Sequence, residues 1–81
     1  MTDAASWIRE FTLAAGGAAL TDEERESILA LAGMAAHSSE RTAAPLTCWV
    51  AAAAGLDPVA ALEIARTVTE QLSDDEPGPD V

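Results

Sequence analysis

The sequence predicts an all-α domain: a compact antiparallel four-helix bundle over residues 1–72 and a disordered acidic C-terminal tail over residues 73–81. Three observations predict it. Apolar residues recur at helical spacing in four stretches, each bounded by capping residues, glycine or proline. The apolar content is aliphatic, with 19 alanines and only three aromatics, Trp7, Phe11 and Trp49, which suits helices and not strands. The connections are short, so consecutive helices should pack back on one another.

Thr2 or Asp3 can cap a first helix in which Ala4, Trp7, Ile8, Phe11 and Ala15 share a side, and Gly16-Gly17 ends it. Thr21 followed by Asp22, Glu23 and Glu24 is a capping box that opens the second helix. Ile28, Leu31, Ala32, Ala35 and Ser39 form its stripe, and the helix should end near Ser38 to Arg41. Thr42 can cap a third helix with Pro45 in its first turn, where the missing N–H costs nothing, and Gly55 stops it. Asp57-Pro58 opens a fourth, whose inward residues are Ala61, Leu62, Ile64, Ala65, Val68 and Leu72, with Arg66 and Glu70 paired outward. From Ser73 onward, four acids, two prolines and a glycine leave too little apolar surface to order the chain. Alanine lets the helix axes approach closely, so Trp7, Phe11, Leu31 and Trp49 are expected to fill the core; an exposed Trp7 would instead mark an interface.

Composition narrows the function classes. Fourteen acids stand against four arginines, with no lysine, so nucleic-acid phosphate and anionic lipid are disfavoured. The longest nearly apolar stretch, Pro45 to Leu56, has 12 residues and falls short of the ~20 a membrane helix needs. One cysteine excludes an intrachain disulfide, and no secretory leader opens the chain, so a cytoplasmic location is expected. A chain of 81 residues buries only roughly 60% of its unfolded surface, which makes a protein partner or homo-oligomer expected.

Polar chemistry converges at one place, Ala35 to Leu46. His37 and Arg41 are four residues apart and share a face if the second helix reaches that far; the third helix would begin at Thr42 with free amides. A phosphate or carboxylate could sit between the guanidinium fork, the imidazole and those amides, which makes His37, Arg41, Thr42 and Thr47 the candidate ligand-binding residues. The same residues also read as a structural corner in which His37 and Arg41 cap carbonyls or pair with Glu40, and that reading carries more weight because a site also needs a cavity. Cys48, inside an apolar helix, reads as an inert thiol. One histidine, one cysteine and scattered acids offer no metal-ligand spacing, so neither metal nor cofactor is expected, and no catalytic set can be named.

The stretch Ile28-Leu29-Ala30-Leu31-Ala32 to Ala36-His37, then Arg41, then Ala43-Ala44-Pro45-Leu46-Thr47, then Gly55, resembles a small actinobacterial domain of unknown function. Members of that family occur alone, or carry the name of or are joined to molybdopterin-guanine dinucleotide biosynthesis proteins. The resemblance spans roughly residues 5–72 and implies a helical bundle associated with molybdenum cofactor maturation, with no activity to carry across. Gly16-Gly17 lacks a following lysine or arginine to hold phosphate, so the chain is not itself the guanylyltransferase. The functional expectation is a non-catalytic accessory or protein-interaction module. The alternative is a small-anion or nucleotide-binding module at the His37/Arg41 corner.

Overall fold

A computed structural model describes residues 3–75 and shows four helices in this order: α1 (Ala4–Ala15), α2 (Asp22–Ser38), α3 (Ala43–Ala53) and α4 (Pro58–Asp75). No strand occurs among the described residues. α4 continues three residues past the expected boundary at Leu72; the rest of the expected acidic tail, residues 76–81, lies outside the described residues.

Most of the helix ends are set by the residues the sequence marks for them. The Asp3 carboxylate accepts from the Ser6 amide at 2.7 Å, and hydrogen bonding from the Ser6 amide and then its hydroxyl holds the Asp3 carboxyl below its ordinary value. Gly16, at φ 75°, closes α1. The capping box at α2 is complete: the Glu24 amide donates to Thr21 Oγ1 at 3.0 Å and the Thr21 amide donates to Glu24 Oε1 at 2.9 Å. At its other end both the Ser39 amide and the Ser39 hydroxyl donate to the Ala35 carbonyl. Asp57 Oδ1 accepts from the Ala60 amide at 2.8 Å and caps α4, with Pro58 in the first position.

Thr42 corrects one expectation. Its backbone is already helical, φ −65° and ψ −19°, and its side chain makes no capping bond. The reason is the tight turn before α3: the Ala43 amide donates to Glu40 O at 2.9 Å and the Ala44 amide to Arg41 O at 3.2 Å, while Pro45 has no N–H. No donor is left for a threonine hydroxyl to satisfy. A second correction is minor: Arg66 pairs with Glu63 at 3.4 Å, not with Glu70, in an exposed contact of small worth.

α2 is the central element and packs against both α3 and α4. α2 and α4 lie side by side in the same direction. Their first turns meet around Thr21–Ser27 and Asp57–Ala60, and their later turns meet where the Ser38 and Thr69 hydroxyls share a 3.1 Å hydrogen bond. Where the three helices meet, Leu31 and Ala61 are buried, beside a void of about 100 Å³ lined also by Ile28, Cys48, Ala51 and Leu56. Gly33 sits inside α2 with nothing within 4 Å of where a Cβ would stand. Gly33→Ala is therefore expected to stabilise the chain by about 0.5–1 kcal/mol, read as a higher urea midpoint with an unchanged slope.

The expected closing of all four helices around an aromatic core is not what forms. α2, α3 and α4 make the compact part, and α1 packs on none of them to a comparable extent. Trp7, Phe11 and Trp49 are 60%, 59% and 78% exposed instead of buried. Two causes account for this. The side of α3 that is partly buried carries Ala43, Ala44, Thr47, Cys48 and Ala51, so it meets α2 at small residues and leaves no room for an indole. The Gly16–Leu20 connection carries α1 away from the other three helices, so its aromatic side finds no surface of its own chain.

Candidate functional site

The α2–α3 corner holds the four residues selected from sequence, in different relations from those expected. His37 occupies the last turn of α2 and is exposed, beside an open, shallow depression of about 280 Å³ shared with Ala30, Gly33, Met34 and Ser38. α2 stops at Ser38, so Arg41 lies in the turn and the i,i+4 relation to His37 is not a helical one. Arg41 is exposed, lines none of the depressions described here, and contributes its carbonyl, not its guanidinium, to the corner's hydrogen bonds. Thr47 stands on the inner side of α3, half-buried and two turns into the chain beyond Arg41.

The amides that would have received an anion are engaged. Helix starts attract anions because their first N–H groups lack partners. Here the first two of α3 bond to Glu40 and Arg41 and the third position is proline. The hydrogen bonds of this segment describe a corner: the Ser39 side chain ties down α2, the Ser38 hydroxyl ties α2 to α4, and the turn closes on its own carbonyls.

Other groupings hold no more chemistry. Cys48 is half-buried, and burial pushes its thiol up from the ordinary value, which lowers the thiolate fraction at neutral pH and makes it a slow nucleophile. A wide depression of about 770 Å³ lies where α2 and α4 begin, lined by Glu23, Glu24, Glu26 and Asp57. Glu24 and Asp57 are capping residues there, and the acids of the first turn of α2 complement its macrodipole. Among the described residues no group of three histidine, cysteine or acidic side chains could hold a metal ion, and no helix is long and apolar enough to cross a membrane. No buried side-chain nitrogen or oxygen among them lacks a hydrogen-bond partner.

The informative surface is apolar. Trp7 and Phe11 stack on the outside of α1 with ring centroids 5.5 Å apart and planes 14° from parallel. Between α1 and the start of α2 runs a groove of about 310 Å³ walled by Ile8, Leu13 and Leu20 and lined also by Arg9, Asp22 and Arg25. On α3, Leu46, Trp49 and Val50 are exposed together. Sequence reasoning assigns Trp7, Phe11 and Trp49 to the core because an amphipathic pattern states which side is apolar and not what covers it. The signal available was the mismatch between three large aromatics and the small alanine sides they would have to fill.

By fold and surface this is a small all-helical domain that leaves large apolar side chains of α1 and α3 exposed. The chain belongs to the family described as a domain of unknown function (DUF6457), which it matches over residues 1–78. No curated protein and no solved structure matches it.

Proposed function

We propose that the chain is a non-catalytic accessory module that works by protein–protein contact. The stacked Trp7–Phe11 pair carries the reading. Two aromatics more than half exposed on a helix that its own chain does not cover are surface that water disfavours, and aromatic pairs of this kind anchor interfaces. The groove on the same helix beside Ile8 and Leu13 adds apolar surface, and its two arginines, Arg9 and Arg25, outnumber its one carboxylate, Asp22. A partner presenting an apolar anchor flanked by carboxylates fits that surface.

The sequence resemblance supplies a candidate for the partner: a protein of molybdopterin-guanine dinucleotide biosynthesis in the cytoplasm of an actinobacterium. Support for that link rests on the motif from Ala36-His37 through Arg41 to Leu46-Thr47 alone. The test is co-purification of this chain with the molybdopterin guanylyltransferase of its own genome. A stoichiometric complex that the double variant Trp7→Ala, Phe11→Ala loses by at least about tenfold supports the reading. No complex, or one indifferent to both substitutions, removes it. The anion-binding alternative at His37, Arg41, Thr42 and Thr47 has no observation in its favour, because the amides it needs are already bonded.

A further inference from the structure

Two of the four arginines, Arg9 and Arg25, line one groove, the space of about 310 Å³ between α1 and the start of α2. Neither pairs with a carboxylate: among the described residues the one ion pair is Arg66 with Glu63. A guanidinium carries five N–H donors and accepts nothing, so two of them left unpaired on one groove favour an oxyanion there. The hydroxyl of the groove does not compete for it, because Thr12 Oγ1 donates to Ile8 O at 2.7 Å.

The rest of the groove is largely apolar. Ile8 and Leu13 come from α1 and Leu20 from the Gly16–Leu20 connection, and all three are exposed. The connection forms a third side between the two helices, so residues 5–25 build the whole groove without α3 or α4. Trp7 and Phe11 take no part in it. They stand two positions after Ala5 and Arg9, a rotation of about 200° on a helix, so the stacked pair projects from the opposite side of α1.

We propose that this groove binds a small monocarboxylate with an aliphatic tail: the carboxylate lies between Arg9 and Arg25, and the tail lies on Ile8, Leu13 and Leu20. Size selects a small molecule. One turn of helix, about 10 Å across and about 5.4 Å high, fills roughly 400 Å³, more than the groove holds. Its volume falls instead at the lower end of the ~300–1,000 Å³ of small-molecule sites. Charge selects a single carboxylate. Asp22 also lines the groove, so the two arginines leave one net positive charge there. A monocarboxylate neutralises that charge, whereas a phosphate monoester at about −1.5 to −2 overshoots it in a chain whose net charge is −10. The site rests on the protein-contact reading only in that both put a carboxylate in this groove; the Trp7–Phe11 pair lies elsewhere, so the two fail separately.

Octanoate titrated into the full chain and followed by NMR should saturate, with its largest amide shifts within residues 5–25 and the Trp7 indole N–H unmoved. Hexanoate should bind more weakly than octanoate, because less of it leaves water, and octyl phosphate should also bind more weakly. Arg9→Gln and Arg25→Gln should each weaken octanoate by about threefold and together by about tenfold. Both arginines are exposed and unpaired, so the helical circular dichroism should be kept; Arg41→Gln, outside the groove, should bind octanoate as the wild type does. Shifts that never saturate, or octanoate bound equally by the double variant, overturn the site. Octyl phosphate bound more tightly than octanoate overturns the single-charge match. If octanoate fails and the double variant loses the protein complex, the groove belongs to the partner; the Trp7–Phe11 test stands in either case.

Discussion

Leu31→Ala is expected to cost about 2–5 kcal/mol, the largest loss from any single truncation in the chain. A domain of this length has a total stability of about 4–12 kcal/mol, so the variant should lose a large share of it. Leu31 and Ala61 are the only buried apolar residues described, and Leu31 is the one large side chain that is fully buried where α2 meets both α3 and α4. Truncating it enlarges a void of about 100 Å³ that the alanines around it already fail to fill. Alanines make up much of that wall and cannot swing inward, so only Ile28 and Leu56 can relax into the space. Leu29→Ala is the control: Leu29 lies two positions away, on the exposed side of the same helix, and should change stability by less than about 0.5 kcal/mol. Urea denaturation of both variants checks the pair. Equal losses would mean that the three-helix junction is not where the chain is held together.

The helix ends were legible in the sequence because each rests on chemistry within four residues. Thr21 with Glu24, Asp57 with Pro58, and the glycines at 16 and 55 mark boundaries that the hydrogen bonds reproduce. Thr42 was misread for the same reason: a threonine ahead of proline signals a cap only when the amides of the next turn are free, and that depends on how Glu40 and Arg41 close the preceding turn. Trp7, Phe11 and Trp49 show the wider limit. Their spacing fixes which side of a helix they share, but whether that side meets the chain's own core, a second copy or another protein is decided by what the other helices can offer. Here they offer alanine. The corner at His37 and Arg41 is a concentration of polar groups in the sequence. Its geometry turned on one peptide, the end of α2 at Ser38, which places the two side chains on different elements.

Gly55→Ala is expected to destabilise the chain by about 1–2 kcal/mol through backbone strain alone. Gly55 has φ 78°, in the left-handed region, and no atom lies within 4 Å of where its Cβ would stand, so crowding contributes nothing. The conformation is required by the way α3 ends. The Gly55 amide donates to Ala52 O at 3.0 Å and the Leu56 amide to Ala51 O at 3.1 Å, the paired bonds that satisfy carbonyls left open by the last turn of a helix. The same reversal delivers Leu56 and Pro58 to the wall of the void beside Leu31, so strain at Gly55 loosens the packing of α3 and α4 on α2. Asn tolerates this region better than Ala, and a β-branched residue tolerates it least, so the losses should rank Asn below Ala below Val. Gly33→Ala, also made into open space but at helical φ, should have the opposite sign. A denaturation series on these four variants tests the assignment. If Gly55→Ala were neutral, the left-handed turn would not be what fixes the α3–α4 junction. If Gly55→Asn cost more than Gly55→Val, backbone strain would not be the cause.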